Sequence, residues 1–389
     1  MELLQLALLG LAALGHAVFW VATVNRIHSL GLPRRVIDLL SAGCWAALFA
    51  IPLTLWSIDE AAAPLRIYIA LAALFGLYAV GRRLYQLLAP HDRPAVLLAN
   101  KISAVDMIEA LGYCPVHGRL CTLLSRLPGN QLLDLQLQEL TLQMERLPAA
   151  LDELTIVHLS DLHMSGRLDK SYFQEVCALA NDMDPDLTVI TGDLFDADAC
   201  IDWVPETLAK LRSRHGVYFV FGNHDLRVDH ARARCVLGDA GLIDLGGRWL
   251  TLDIHGKRVL LAGNESPWFA PAADMQSAPV DHAGERLFRV LLSHAPDQIG
   301  WARRHDFDLM MAGHTHGGQI RFPILGPVIA PSRFGAKYAS GTFHLGSTVM
   351  HVSRGAATLD PLRWNCPPEL SALVLRSKTR STASESPAR

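Results

Sequence analysis

Five short polar clusters between residues 161 and 316 are rich in aspartate, asparagine and histidine. Each cluster directly follows an apolar run, and together they contribute Asp161, His163, Asp193, Asn223, His224, Asp225, His294, His314 and His316. Carboxylate, amide and imidazole groups without a thiolate form a ligand set that suits Mn, Fe or Zn. Any single member could instead cap a helix or lie in a turn. Their joint occurrence after five apolar runs favours a metal centre.

The spacing within the clusters determines how the side chains could reach an ion. Asp161 and His163 stand two apart, so an extended segment or a tight turn can aim both at one ion. His314 and His316 have the same spacing, and a tight turn could aim them at one ion or at two different ions. Two ions about 3.5 to 4 Å apart need a bridging ligand, which a carboxylate with its two oxygens can provide. Asp193 is the candidate bridge.

The apolar runs that precede the clusters predict strands. They lie in LTIVHLSD, DLTVITGD, GVYFVFGNHD, RVLLSHAPD and DLMMAGHTH. Amphipathic stretches at residues 172–181 and 204–211 separate the early runs and have the spacing of helices. Alternating strands and helices predict an α/β core with buried sheets, in which ligands bind at the carboxyl ends of the strands. We therefore expect the five clusters to meet at one rim.

Two further patterns indicate antiparallel strands. The pairs Gly246–Gly247 and His255–Gly256 interrupt the segment LIDLGGRWLTLDIHGKRVLLAG and predict hairpins. In the connecting region at residues 90–150, the leucines of LLDLQLQELTLQME alternate with polar residues. This alternation predicts edge strands before the core.

The first 89 residues contain three long apolar segments. No charged residue occurs within 3–24, 39–56 or 67–80. The first two segments are long enough to cross a hydrocarbon core of about 30 Å, whereas the third spans only if the chain beyond its flanking arginines extends it. The lack of Lys and Arg before Arg26 argues against a cleaved signal peptide. Residues 1–89 are therefore predicted to be a membrane anchor of three helices, and the alternative is a buried helical hairpin.

Composition excludes several other classes of protein. The net charge is −3 and the chain has no basic stretch, so no nucleic-acid partner is expected. The seven cysteines are odd in number and lack a C-x-x-C pair, which indicates neither a disulfide framework nor a zinc ribbon. Residues 151–376 have the pattern of a folded domain, and the polar residues 377–389 are predicted to be a disordered tail.

Basic residues near the apolar segments predict a topology. The first loop carries Arg26, Arg34 and Arg35, whereas the second begins with Asp59 and Glu60. By the positive-inside rule, three crossings of an inner cell membrane would place the N-terminus outside and residues 151–376 in the cytoplasm. If the third segment does not cross, the same first loop would place those residues outside.

The order of the clusters, D-x-H, GD-x-x-D, GNH-[DE], a lone His and GH-x-H, resembles the calcineurin-like metallophosphoesterase superfamily over residues 154–375. The stretches GHTHGGQIRFP and VSRGAATLDPLRWNCPPEL look like its membrane-associated branch, which includes the YkuE-type phosphoesterases and the chlamydial-type UDP-2,3-diacylglucosamine pyrophosphatase. The resemblance implies a layered α/β/β/α sandwich with mixed sheets, preceded here by the transmembrane helices.

Carried over position by position, the resemblance implies two divalent metal ions. One ion would take Asp161, His163, Asp193 and His316, and the other would take Asp193, Asn223, His294 and His314. His224 would face the substrate as a general acid or charge stabiliser, with Asp225 orienting its ring, and Asp196 would be structural. In AGNESPWF, Asn264 and Glu265 stand where relatives often carry acidic residues just after the glycine, so the resemblance does not define the pocket wall.

These observations predict a membrane-anchored hydrolase of phosphoesters or pyrophosphates, with the lipid bilayer as its partner. Because tethering raises the local concentration of a membrane substrate, a lipid-linked substrate such as UDP-2,3-diacylglucosamine is favoured. The alternative is a phosphodiesterase or nuclease that acts on a soluble nucleotide-type substrate. Such an enzyme would share the metals but should show a basic groove.

Overall fold

The computed structural model describes residues 3–55, 62–88 and 96–378, and the chain divides into two compact units. Unit 1 comprises Met1–Asp92 and Ile324–Lys337, and unit 2 comprises Arg93–Pro323 and Tyr338–Arg389. The loop residues Asp59 and Glu60 and residues 379–389 of the predicted tail lie outside the described residues.

Unit 1 contains three long apolar helices, α1 (Leu3–Ile27), α2 (Arg34–Leu55) and α3 (Ala63–Leu88). All three are long and apolar enough to cross a membrane. Helix α3 extends beyond the uncharged stretch at residues 67–80 in both directions. The helix therefore reaches membrane-spanning length because it includes the flanking arginines and the residues beyond them.

Helices α1 and α3 approach each other closely at two glycines. A Cβ atom on Gly15 would lie 1.9 Å from the carbonyl oxygen of Ala72, and one on Gly76 would lie 2.1 Å from that of Leu11. Small residues allow the backbones of two apolar helices to approach closely, so that van der Waals contacts can hold the helices together. An alanine at either glycine would push the two helices apart.

Unit 2 and the segment of unit 1 that interrupts it are rich in short strands. In chain order the strands are β1 (Leu97–Asp106), β2 (Asp134–Met144), β3 (Leu154–Leu159), β4 (Leu187–Thr191), β5 (Val217–Val220), β6 (Ile243–Asp244), β7 (Trp249–Ile254), β8 (Lys257–Asn264), β9 (Asp281–His282), β10 (Glu285–Arg286), β11 (Phe288–Ser293), β12 (Leu309–Ala312), β13 (Arg321–Phe322), β14 (Gly326–Pro327), β15 (Gly341–Leu345), β16 (Thr348–Val352) and β17 (Glu369–Ser377). The helices of unit 2 are α4 (Met107–Leu111), α5 (Arg119–Ser125), α6 (Lys170–Asp182), α7 (His230–Asp239) and α8 (Ile299–Arg304).

Two mixed sheets form the centre of unit 2. The first has the strand order β1-β2-β17-β3-β4-β5-β6, and the second has the order β15-β16-β12-β11-β8-β7. Strands β3, β4 and β5 run parallel in the first sheet, as do β8, β11, β12 and β16 in the second. Antiparallel pairs at the margins, β1 with β2, β7 with β8 and β15 with β16, make both sheets mixed.

Two apolar clusters account for the layers of unit 2. Successive residues of a strand point to opposite faces of its sheet, so Ile156 and Val157 enter different clusters. Val157 packs in the cluster that contains Tyr172 of α6, whereas Ile156 packs in the cluster that contains Leu261 and Leu292 of the second sheet. The predicted sandwich of two sheets with helices outside is confirmed.

Local structure differs from expectation in the helical stretch and in the connecting region. Residues 204–211 do not form an α-helix, because 204–206 end one 3-10 segment, Asp198–Glu206, and 208–210 form another, Leu208–Lys210. Pro205 has no backbone N–H to continue an α-helical ladder. Of the two strands in the connecting region, β1 lies at the sheet edge, but β2 lies inside the sheet between β1 and β17. The leucine alternation of β2 therefore reflects an interior strand.

Only one of the two predicted hairpins forms. His255 and Gly256 join the antiparallel strands β7 and β8, and both have positive φ angles of 52° and 71°. Gly246 and Gly247 instead carry the chain from β6 of the first sheet to β7 of the second. Two adjacent glycines allow the chain to turn sharply within a hairpin or between two sheets, so a Gly–Gly pair does not by itself specify a hairpin.

Candidate metal centre

The five polar clusters lie at the carboxyl ends of parallel strands. Asp161 follows β3, Asp193 follows β4 and Asn223 follows β5, all in the first sheet. His294 follows β11 and His314 follows β12 in the second sheet. Because the two sheets pack face to face through one apolar cluster, both contribute side chains to the same rim.

The backbone of this rim is uncommon at five of the predicted ligands. The φ angles are positive, with values of 53° at Asp161, 47° at His163, 54° at Asp193, 70° at His314 and 49° at His316. Non-glycine residues rarely adopt left-handed φ values, and those that do cluster at functional sites. The surroundings hold this conformation, since the N–H of Asp161 donates to the carbonyl of Gly192 at 3.0 Å and that of His163 donates to Asp193 at 2.9 Å.

Gly313 lets the loop that carries His314 pass against Asp161. A Cβ atom on Gly313 would lie 1.8 Å from Oγ of Ser160 and 2.2 Å from Oδ2 of Asp161. The backbone N–H of His314 donates to both carboxylate oxygens of Asp161, at 3.0 and 3.1 Å. Any side chain at position 313 would displace the carboxylate that this loop holds in place.

Four side chains form the first candidate ligand group. The ligand atoms of Asp161, His163, Asp193 and His316 all lie within 4.8 Å of one another. Nε2 of His163 lies 3.0 Å from Nε2 of His316 and 3.7 Å from Oδ2 of Asp193. Nε2 of His316 lies 3.5 Å from Oδ1 of Asp161. Two carboxylates and two imidazoles thus converge on one point, which suits a divalent cation.

The second candidate group shares Asp193 with the first. Oδ2 of Asp193 lies 3.2 Å from Nε2 of His294. The same nitrogen of His294 lies 3.1 Å from Nδ1 of His314 and 3.1 Å from Oδ1 of Asn223. The structure therefore brings all seven predicted metal ligands into two adjoining groups.

The shared carboxylate differs in detail from the expected two-oxygen bridge. Oδ2 of Asp193 faces both groups, being close to His163 on one side and His294 on the other. Oδ1 accepts the backbone N–H of His224 at 2.7 Å. Oδ2 is therefore the oxygen of Asp193 that faces both ligand groups.

Burial and charge pairing determine the protonation of Asp193 and His294. Both are almost fully buried. Burial raises the pKa of Asp193, but His294 and His224 outweigh this effect and hold it well below the usual range. Burial lowers the pKa of His294, but the carboxylate of Asp193 outweighs this effect and raises it to about 9. Asp193 is therefore ionised, and a bound cation would replace the proton on His294. The donor set and its charge fit divalent metal ions.

His224 is oriented by Asp196, and the expectation that Asp225 orients it is wrong. Nδ1 of His224 lies 2.6 Å from Oδ1 of Asp196, and Nδ1 of His163 lies 2.7 Å from Oδ2 of the same carboxylate. Burial opposes ionisation of Asp196, but the hydrogen bonds from both rings outweigh it, so its pKa lies well below the ordinary value. Because it determines which nitrogen of each ring faces the centre, Asp196 is more than a structural residue.

Asp225 holds the backbone of the rim. Its buried carboxylate accepts four backbone N–H groups, at 2.8 to 3.0 Å, from Gly222, Asp193, Leu194 and Phe195. A carboxylate has about four lone-pair sites, so these contacts leave none for the ring of His224. Asp225 therefore ties the turn after β4 to the turn after β5.

The AGNESPWF segment contributes an aromatic side chain that the sequence did not single out. Glu265 turns inward, where Oε2 accepts from Nη2 of Arg234 at 2.6 Å. Oδ1 of Asn264 accepts the backbone N–H of Ser266 at 2.9 Å. Trp268 instead packs on the ligands, with its ring centroid 4.9 Å from that of His314. No motif marks this tryptophan in a single sequence.

Two arginines also contact the candidate site. Nη1 of Arg227 donates to Oδ1 of Asp196 at 2.8 Å, and its Nη2 lies 3.3 Å from Nε2 of His224. Nη2 of the fully buried Arg363 lies 3.2 Å from Nδ1 of His316. Arg227 stands two residues after GNHD, and this proximity is a signal that could have identified it. Arg363 lies within VSRGAATLDPLRWNCPPEL, and the resemblance of that stretch to the family is a signal that could have identified it.

Comparison with known proteins adds relatives to this geometry. A sequence model described as calcineurin-like phosphoesterase matches residues 154–318, a range that contains all seven predicted ligands. The uncharacterized metallophosphoesterase YkuE of Bacillus subtilis is 32% identical over 61% of this chain and 85% of its own length. The phosphodiesterase YaeI of Escherichia coli is 32% identical over 57% of this chain and 81% of its own length. A transmembrane protein with metallophosphoesterase domain from Danio rerio is 29% identical over 48% of this chain and 45% of its own length.

Proposed function

The chain belongs to the calcineurin-like phosphoesterase family, as the order of its motifs predicts, and we propose that it hydrolyses a phosphodiester or pyrophosphate bond in a lipid-linked substrate. It is a metal-dependent phosphoester hydrolase by family. The observation that supports the lipid-linked substrate is that one chain carries both the ligand groups around Asp193 and three helices of membrane-spanning length.

Seven side chains would hold two divalent ions of Mn, Fe or Zn. The first ion would be held by Asp161, His163, Asp193 and His316, and the second by Asp193, Asn223, His294 and His314. Bound ions of this kind lower the pKa of a water molecule and neutralise charge on phosphoryl oxygens. The chain's own contribution is to hold these side chains rigidly, through the backbone contacts of Asp225 and the outer contacts of Asp196.

His224 would donate a proton to the leaving oxygen or stabilise charge there. Its position supports this role, because its Nε2 atom lies 4.0 Å from the shared Oδ2 atom of Asp193 and its side chain is 14% exposed, as is that of the ligand His316. Burial lowers the pKa of His224, which makes its protonated ring a readier proton donor. Asp196 would keep the Nε2 atom of the ring directed toward the centre by accepting from Nδ1.

A lipid-linked substrate agrees with the helices of unit 1. An enzyme anchored by spanning helices meets membrane substrates at a raised local concentration. The YaeI relative is named a phosphodiesterase and the Danio rerio relative is named a transmembrane protein. A nucleotide-linked lipid such as UDP-2,3-diacylglucosamine combines a pyrophosphate with acyl chains, and we propose this class for the substrate. In this proposal α1, α2 and α3 cross the inner membrane and residues 151–376 lie in the cytoplasm.

The proposal is tested by assaying the purified full-length protein, reconstituted with Mn, Fe or Zn, on two matched panels. One panel contains UDP-2,3-diacylglucosamine and simple phospholipid diesters in mixed micelles. The other contains water-soluble counterparts without acyl chains, including nucleotide sugars, cyclic nucleotides and bis(p-nitrophenyl) phosphate. The His224→Ala variant and metal-chelated enzyme serve as controls for contaminating hydrolases.

The expected result is a higher kcat/KM for a lipid-linked diester or pyrophosphate than for its soluble counterpart. Faster turnover of a soluble nucleotide than of every lipid would favour the soluble phosphodiesterase instead. No metal-dependent hydrolysis on either panel would contradict phosphoester hydrolysis altogether.

A further inference from the structure

One surface of unit 2 exposes five large apolar side chains, which we call the apolar patch. The exposed fractions are 66% for Leu120, 64% for Leu123, 43% for Leu127, 43% for Phe322 and 46% for Trp364. Two of these residues lie on α5, one in the turn that follows and one on β13. Single exposed leucines are ordinary on a soluble surface, whereas a continuous apolar patch marks an interaction site.

Backbone contacts join the members of the apolar patch. Trp364 forms β-bridges with Asn130 and with Ile320. The side chain of Asn130 donates to the carbonyl of Leu124 in α5 at 2.8 Å. The N–H of Arg321 donates to the carbonyl of Trp364 at 2.9 Å. These contacts therefore link the segments that carry the patch, which are α5 with the turn after it, Trp364 and β13.

The apolar patch is also tied to the loop that carries the ligand His316. The N–H of Trp364 donates to the carbonyl of Gln319 at 3.0 Å. Nε of Arg321 donates to the carbonyl of Gly317 at 2.7 Å. A partner that binds the patch would therefore sit beside the candidate metal centre.

The charges around α5 indicate what kind of partner the patch fits. Arg119 and Arg126 are exposed, and residues 118–130 contain no Asp or Glu. Outward leucines flanked by arginines are typical of segments that lie on an anionic bilayer. Tryptophan is also enriched at the boundary between lipid and water.

Within unit 1, the segment Ile324–Lys337 is held at one end of the apolar helices. Asn25, near the end of α1, donates to the carbonyl of Val328 at 3.0 Å and accepts the N–H of Ala330 at 3.0 Å. Nε of Arg83, near the end of α3, donates to the carbonyl of Ile324 at 3.0 Å. If these helices span a membrane, their ends and this segment lie at its surface.

The segment begins two residues after Phe322 of the apolar patch, so the chain itself joins the patch to the helix ends. We infer that the apolar patch docks unit 2 onto the bilayer surface, with its leucines and tryptophan among the lipid headgroups. The candidate metal centre then works at the boundary between lipid and water. This inference rests on the proposal that α1–α3 cross a membrane, and it does not depend on which phosphoester is hydrolysed.

Site-specific photo-crosslinking in the full-length protein tests the docking. p-Benzoylphenylalanine replaces Leu123 in one sample and Val280 in another, because these two residues of unit 2 are 64% and 65% exposed. Leu71 of α3, which is 63% exposed, provides the positive control for a membrane-embedded position. The protein is reconstituted into vesicles of phosphatidylethanolamine and phosphatidylglycerol that carry a labelled phospholipid.

The expected result is labelled lipid attached at positions 123 and 71, with about a tenth as much or less at position 280. Equal labelling at 123 and 280, or labelling at 71 without 123, would overturn the inference. Attachment of position 123 to a second polypeptide instead of lipid would show a protein interface and also overturn it. No labelling at 71 would reject the spanning helices and the inference together.

An activity measurement separates docking from folding. The Leu120→Glu/Leu123→Glu variant should lose at least about tenfold in hydrolysis of a substrate embedded in vesicles, because exposing one buried leucine alone corresponds to about that factor and two are replaced. Its hydrolysis of bis(p-nitrophenyl) phosphate should be unchanged. The control variant Val280→Glu should hydrolyse both the substrate embedded in vesicles and bis(p-nitrophenyl) phosphate at the unmodified rate. Equal losses on both substrates, or no loss on either, would overturn the inference.

Discussion

Asp196 connects the two imidazoles that face the candidate centre, so its replacement by asparagine has a specific expected effect. Oδ1 of Asp196 accepts from His224 and from Arg227, at 2.6 and 2.8 Å, whereas among the described residues Oδ2 accepts only from His163, at 2.7 Å. An asparagine has a single acceptor oxygen, which would stay with the two donors. Its NH₂ group would then face Nδ1 of His163.

That change acts on metal binding through the tautomer of His163. To accept from the amide, Nδ1 must give up its proton, which moves to Nε2, the nitrogen that faces Asp193 and His316. A protonated Nε2 cannot bind a metal ion. Loss of such an outer partner costs about 10- to 100-fold in metal affinity, or about 1.4 to 2.7 kcal/mol. We expect Asp196→Asn to lower the affinity for one of the two ions by this factor and to leave the affinity for the other ion unchanged.

The assay is a metal titration at buffered free Mn²⁺, with bound metal counted by mass spectrometry and turnover followed in parallel. Asp202→Asn is the matched control, because it removes a carboxylate whose side chain is 68% exposed and which pairs only with Arg232 in the described structure. The control should bind metal as the unmodified protein does. Unchanged affinity for both ions in Asp196→Asn would refute this reasoning, and equal weakening of both would show a general loss of structure.

Three further predictions follow from the same geometry. His224→Ala should retain both ions but lose about 10²- to 10⁴-fold in turnover, the range for a positioned acid, and loss of an ion in metal analysis would make His224 a ligand. Asp225→Asn should lower the free energy of unfolding by about 1 to 3 kcal/mol, because its amide would face backbone N–H groups, and an unchanged thermal midpoint would contradict this role. A C-terminal fluorescent fusion that folds only in the cytoplasm should be bright, whereas a C-terminal phosphatase fusion that is active only outside should be inactive, and the opposite pattern would reject three crossings.

Much of the fold and the identity of the candidate ligands could be predicted because both depend on local sequence patterns. An apolar run that ends in a polar cluster marks a buried parallel strand and its carboxyl end, whatever the rest of the chain does. This is why Asp161, Asp193 and His314 could be assigned to one rim before their distances were known. Likewise, the three apolar segments predict helices from composition alone.

The contacts around these ligands could not be predicted, because they depend on how distant turns approach each other. The family resemblance assigned the orienting role to Asp225, which stands next to His224 in sequence. The turn after β4 brings Asp196 to the ring instead. Trp268 and Arg363 lie in AGNESPWF and VSRGAATLDPLRWNCPPEL, and the sequence of these stretches does not indicate which of their side chains reach the site. The left-handed φ angles at the ligands could not be predicted from the residue types, since aspartate and histidine adopt many conformations.

The division of the chain near residue 323 was equally inaccessible to sequence reasoning. GHTHGGQIRFP reads continuously into the residues that follow, yet the structure assigns Ile324–Lys337 to the unit that contains the apolar helices. Hydrogen bonds from Asn25 and Arg83 determine that placement, and both partners are separated from the segment by more than 200 positions. No periodicity could have revealed contacts at that range.

Asp193 is the residue on which a shared two-ion centre depends, because its Oδ2 atom faces both ligand groups. The decisive measurement is the number of metal ions bound per chain, together with phosphoester turnover, in the unmodified protein and in Asp193→Asn. We expect two ions in the unmodified protein, and in the variant a lower count and loss of most hydrolysis with the thermal unfolding transition retained. A variant that keeps its full metal content and near-normal turnover would contradict the shared centre.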